Sequence, residues 1–166
     1  VQQVEPTSFH EVWAAHARHV YRFAVFLTGD TTLAEDLTSE AFLRVWAAWD
    51  RVVWPTVRSY LFATARNLYL QHLRRTQREH PLDTTIVENR SLAEHTEHRE
   101  DLQQVMEAMR QLPEIDRTAL LLRAEEGFTY AEIAAALKLP EATVKVKIHR
   151  ARLRLAQMCD RRSYRL

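Results

Sequence analysis

The chain has 166 residues, 46% of them hydrophobic and 27% charged, a composition suited to one ordinary globular domain or two small ones. No apolar run approaches about 18 residues, and no basic start leads into an apolar core, so neither a membrane span nor a secretory signal is expected. The single cysteine, Cys159, excludes an intrachain disulfide and fits a cytoplasmic protein, while the net charge of +1 conceals a strongly basic C-terminal end.

Helical periodicity dominates from the start. In residues 9–28, Phe9, Val12, Trp13, Val20, Phe23, Ala24 and Leu27 fall on one broad face, and Gly29 supplies a left-handed cap. Thr32-Leu33-Ala34-Glu35 has the pattern of a capping box and is expected to open a second helix. Its core face should hold Leu33, Leu37, Ala41, Val45 and Ala48, which leaves Asp36, Ser39, Glu40 and Arg44 pointing elsewhere. Residues 50–57 break the pattern at Pro55, with Trp49, Trp54 and Tyr60 gathered around the break. Aromatic rings there serve either as core packing or as platforms for unpaired bases.

A third helix is expected over roughly residues 57–78, with Leu61, Ala65, Leu68 and Leu73 inward. Arg66, Asn67, Tyr69, His72, Arg74, Arg75 and Arg78 then form a polar, basic surface, and no acid occurs between 66 and 78. Cations interleaved with an aromatic and an amide suit contacts to phosphates and to bases. Residues 79–91 lack periodicity and read as the start of a linker. Ser91-Leu92-Ala93-Glu94 is a further capping pattern. His95 and His98 sit three apart, but no cysteine or further histidine lies near them, so a flexible acidic linker is expected there and no metal site.

Periodicity resumes near residue 100, with Leu102, Val105, Met106, Met109 and Leu112 on one face. Pro113 opens the next helix, with Glu114 and Asp116 in its first turn, Ile115, Ala119, Leu120 and Leu122 as its core, and Gly127 at its end. Thr129-Tyr130-Ala131-Glu132 is a capping box that leads into a short helix carrying Ile133, Ala134 and Leu137. Residues 137–140 turn the chain into a last helix whose buried stripe is Val144, Ile148, Ala151 and Leu155. Lys145, Lys147, His149, Arg150, Arg152 and Arg154 project elsewhere, and residues 138–166 hold nine basic residues against two acidic ones. Two helices joined by a tight turn, the second apolar on one side and basic on the other, form a helix-turn-helix suited to the major groove of DNA. Thr143, Lys145, Val146, Lys147, His149 and Arg150 lie in the half that would enter the groove. The chain therefore reads as all-α, and no strand pattern occurs.

Two stretches coincide with a known family. Residues 34–46 (AEDLTSEAFLRVW) with 61–75 (LFATARNLYLQHLRR) resemble region 2 of the extracytoplasmic-function sigma factors of bacteria, and residues 112–155 resemble their region 4. The resemblance implies region 2 over 5–78, a flexible acidic linker over 79–100 and region 4 over 101–160. It implies a non-catalytic transcription initiation factor without a cofactor, whose partners are core RNA polymerase (its clamp helices and flap), promoter DNA and an anti-sigma factor. Asp36, Ser39, Glu40 and Arg44 then become polymerase contacts. Arg66, Asn67, Tyr69, His72, Arg74 and Arg75 would lie at the −10 element, and the loop at 50–58 would capture a flipped base. Thr143, Lys145, Val146, Lys147, His149 and Arg150 would lie at the −35 element. Departures from the family pattern are Lys138 and Ala142, where relatives often carry glycine, and Val146, where a small polar residue is common. Two other classes remain open from the residues alone: an operator-binding helix-turn-helix regulator, and a metal-dependent nuclease built on His95 and His98.

Overall fold

The computed structural model describes residues 8–79 and 97–163. These hold seven α-helices and two short 3-10 turns, with no strand among the described residues, so the fold is all-α. The chain divides into two compact units, residues 1–88 and 89–166. The expected cap at Ser91–Glu94 and the residue His95 lie outside the described residues, as do the side chains of His98 and Cys159.

The first unit packs three helices against one another: α1 (Phe9–Thr28), α2 (Thr31–Ala47) and α3 (Val57–Glu79). Ser8 caps α1 by accepting from the Glu11 amide, and Gly29 ends it at φ 73, where its N–H donates to the Val25 carbonyl at 2.8 Å. The start of α2 corrects the sequence expectation. Asp30, not Thr32, is the cap, and its carboxylate accepts from the Leu33 amide at 3.0 Å. The left-handed turn at Gly29 leaves Asp30 in extended geometry, and aspartate caps as well as threonine or better.

The first core is Val12, Val20, Phe23, Ala24 and Leu27 from α1, with Ala34, Leu37, Ala41, Phe42 and Val45 from α2. Val57, Leu61, Phe62, Ala65 and Tyr69 complete it from α3. Phe42, absent from the expected core, is fully buried and sits 4.7 Å from the Trp13 ring and 6.1 Å from that of Phe9. Leu33 and Ala48 lie only partly covered at the two ends of α2. Between α2 and α3 the chain makes two 3-10 turns, Trp49–Arg51 and Trp54–Thr56. They bring the rings of Trp49 and Trp54 to 4.5 Å edge to face, whereas Tyr60 stays 42% exposed.

The second unit consists of α4 (Glu97–Arg110), α5 (Glu114–Ala124), α6 (Tyr130–Leu137) and α7 (Glu141–Ser163), with α7 packed against the other three. Pro113 takes the cap position before α5 at φ −51 and ψ 138, where its missing N–H removes no intrahelical hydrogen bond. The capping box opening α6 forms as expected. Thr129 Oγ1 accepts from the Glu132 amide at 3.2 Å, and Glu132 Oε2 accepts from the Thr129 amide at 2.7 Å. The turn into α7 passes through Lys138 at φ 56, a left-handed conformation that costs a non-glycine residue roughly 1–2 kcal/mol. The Leu139 amide, donating to the Ala134 carbonyl at 3.0 Å, closes that turn. Val144, Ile148 and Ala151 of α7 are buried against Met106, Met109, Leu112, the apolar residues of α5, Phe128 and Ile133. Leu102 and Val105, expected in this core, are about two-fifths exposed on α4.

Candidate nucleic-acid interface

The basic surface of the second unit is built on α7. Burial of Val144, Ile148 and Ala151 at helical spacing turns Ala142, Val146, His149, Arg150 and Leu153 to the opposite side, where all five are exposed. Val146 and Leu153 are 54% and 51% exposed, so this outward stripe is apolar along its centre and cationic beside it. An apolar contact can read a thymine methyl, and an arginine can bind guanine through two hydrogen bonds. Thr143 is partly covered on one flank. On the other, Lys145 pairs with Glu141 at 2.8 Å and lies 5.3 Å from the centre of the Tyr130 ring. Its hydrogen bond to Glu141, reinforced by that charge, holds the Lys145 ammonium above the usual lysine range, so it stays cationic. Arg123 stacks on the same tyrosine at 4.8 Å and donates to the Phe128 carbonyl at 2.8 Å.

Lys147 is a correction. Expected on the outward basic side, it turns back toward α5, where its Nζ donates to Asp116 Oδ1 at 3.2 Å. The lysine side chain is 20% exposed and the aspartate 1%. Asp116 lies 31 residues away in sequence, and the pairing leaves no mark in local periodicity.

The first unit carries a second basic surface, on the C-terminal half of α3. Asn67, His72, Arg74, Arg75 and Arg78 are exposed and Arg66 is partly covered. Gln71, Arg74, Arg75, Arg78 and Glu79 line a depression of about 460 Å³, within which Arg75 pairs with Glu79 at 2.9 Å. Gln71 was not among the residues expected on this surface. Its spacing from Asn67 and Arg74, one helical turn each way, is the signal that finds it. Tyr69 also lies elsewhere than expected. It is 8% exposed and extends the buried stripe Val57, Leu61, Ala65 at four-residue spacing, so its ring belongs to the core and not to the basic surface.

On α2 the polar positions form a separate face. Asp36, Ser39 and Leu43 are exposed at helical spacing, and Glu40 and Arg44 beside them pair at 3.1 Å with each side chain near half exposure. Leu43 is 58% exposed and Trp46 59%, giving this face the apolar centre that periodicity alone did not assign. A polar rim around an exposed apolar anchor is the composition of a protein-binding surface. Ser39 also borders a depression of about 330 Å³ between α1 and α2, lined in addition by Trp13, Arg18, Tyr21 and Glu35.

Comparison with known proteins places both units. Residues 12–79 match the model of Sigma-70 region 2, and residues 102–155 match that of Sigma-70, region 4. The ECF RNA polymerase sigma factor SigM of Bacillus subtilis is 28% identical over 154 residues, spanning 91% of this chain and 94% of that protein. The ECF RNA polymerase sigma factor SigC of Mycobacterium tuberculosis is 34% identical over 142 residues, spanning 83% of this chain and 76% of that one. Among solved structures, the sigma factor RpoE of Bartonella quintana, in complex with the anti-sigma factor NepR, superposes with a TM-score of 0.80 at 26% identity over 92% of this chain and 96% of that one.

Proposed function

The chain belongs to the extracytoplasmic-function sigma factors of the sigma-70 family, and from that premise we propose how its side chains divide promoter recognition. As a sigma factor it is a non-enzymatic initiation factor that directs RNA polymerase to promoters. The observation that carries the division of labour is the presence of two separately packed helical units, matching different sigma regions in the family's order.

In the first unit, the α2 face of Asp36, Ser39, Glu40 and Arg44, centred on exposed Leu43, docks on the clamp helices of core polymerase. The exposed stripe of α3, with Asn67, Gln71, His72, Arg74 and Arg75, and with Arg66 beside it, lies along the −10 element. The loop at 50–58, which exposes Val53 beside the Trp49–Trp54 pair, receives a base drawn out of the stack. Unstacking costs a few kcal/mol, which contacts in such a pocket offset. In the second unit α7 enters the −35 major groove, with Val146, His149 and Arg150 toward base edges and Thr143 and Lys145 toward phosphates. Neither reader needs high affinity alone, because polymerase holds both on one promoter and raises their effective concentration there. The protein acts in the cytoplasm, where the polymerase is; among the described residues no helix is long and apolar enough to cross a membrane. An anti-sigma factor covers the exposed apolar positions of the polymerase-binding face when the factor is silent, a partner of the class bound by the Bartonella quintana relative.

Arg150→Ala tests the −35 assignment. In holoenzyme assayed on a promoter library, it is expected to weaken binding roughly 5–150-fold, as the loss of one bidentate base contact does, and to relax preference at a −35 position while −10 preferences persist. Uniform weakening on all promoters, whatever their −35 sequence, would make Arg150 a phosphate contact and remove it from the base-reading set.

A further inference from the structure

The helix that carries the −35 reader has an ammonium group that does not face outward. Lys147 Nζ is 3.2 Å from Oδ1 of Asp116, in the first turn of α5, and the Asp116 side chain is 1% exposed. The second carboxylate oxygen, Oδ2, has no hydrogen-bond partner in the structure. A carboxylate this deeply buried depends on its cation. Withdrawing Lys147 to reach a phosphate would strand the charge inside the unit, a cost that one further contact in high-dielectric solvent does not offset. The pair also ties α5 to α7 at the residue directly after Val146, on the flank between the buried stripe and the outward one.

We propose that Asp116 is a positioning residue of the −35 reader: it removes Lys147 from the set of phosphate-binding cations and fixes the face that α7 presents to DNA. This rests on the reading of α7 as the groove-entering helix. The consequence is quantitative. A count of basic residues on α7 overstates the counterions released on binding by one, and promoter affinity depends on salt correspondingly less steeply.

The test compares holoenzymes on a duplex promoter across a range of salt. The double variant Asp116→Asn with Lys147→Gln keeps an amide pair in place of the ions. It is expected to leave the slope of log affinity against log salt as in the parent, whereas Asp116→Asn alone frees the ammonium and steepens the slope by up to about 0.9. A double variant shallower by about 0.9 overturns the proposal, because Lys147 would then be a phosphate contact; so does an unchanged slope in Asp116→Asn. Competitive amine acetylation of the unaltered chain, read by mass spectrometry, needs no variant to fold. Lys147 is expected to label more slowly than Lys138 in the free chain and to gain no protection when the holoenzyme binds promoter. Labelling as fast as Lys138, or protection that arises only with promoter, would overturn it. Failure of the parent holoenzyme to bind any promoter would instead defeat the reading of α7, and the free-chain labelling would still decide the ion pair.

Discussion

Leu43→Asp is expected to reduce affinity for core polymerase by about 30-fold or more while leaving the chain folded. Leu43 is 58% exposed, so its replacement removes little from the core, and substitutions at such positions usually change stability by less than about 0.5 kcal/mol. On the proposed polymerase-binding face the same leucine is the apolar centre, rimmed by Asp36, Ser39, Glu40 and Arg44. Loss of a buried interface anchor typically costs about 2 kcal/mol or more, and a carboxylate left there without a partner adds to that. Asp36→Lys and Glu40→Lys act at the rim and are expected to lower the association rate, most visibly at low salt. Titration of labelled core polymerase measures both effects. An unchanged affinity for Leu43→Asp, with an unchanged melting temperature, would remove α2 from the polymerase interface.

Phe42→Ala, one residue earlier, is expected to act in the opposite way, through stability. Its ring is fully buried and packs against those of Trp13 and Phe9. Truncating a buried phenylalanine costs about 3–5 kcal/mol, while a unit of this size has only about 4–10 kcal/mol in total. All four tryptophans, Trp13, Trp46, Trp49 and Trp54, lie in the first unit, so fluorescence excited selectively at tryptophan follows its unfolding without the tyrosine signal of the second. The urea midpoint read from fluorescence is expected to fall by about 1–3 M, or the unit to be unfolded without denaturant. A shift below about 0.3 M would mean that the α1–α2 aromatic packing contributes little.

Phe42 and Leu43 also show where the sequence stops being legible. Two adjacent apolar residues on a helix point about 100° apart, and periodicity alone did not decide which of them the core takes. The helices themselves were legible, because their stripes repeat over several turns and glycine, proline and capping residues punctuate them. Caps were legible where they faced no competitor. The Thr129–Glu132 box formed as expected, but the Thr32–Glu35 pattern was displaced by Asp30, two residues earlier.

Tyr69 misled because its own ring is amphipathic; only its place after Leu61 and Ala65, at successive four-residue intervals, pointed inward. Lys147 misled for a different reason. The group that captures it is a buried aspartate on another helix, and such pairing follows from tertiary packing and not from local pattern. Periodicity and charge established a helical protein with two basic surfaces. What those surfaces are proposed to read rests on the ordered match to two sigma regions.

Those two surfaces act on one promoter only if core polymerase holds the chain. Core bacterial polymerase, reconstituted with the full chain and incubated with fragmented genomic DNA from its own source, tests this most directly when the transcripts are sequenced from their 5′ ends. RNA starting at discrete sites that share −10 and −35 sequences, absent with core polymerase alone and lost with Leu43→Asp, is the expected result. Silence of every fragment, or binding of the free chain to inverted repeats without retention of the polymerase, would contradict it.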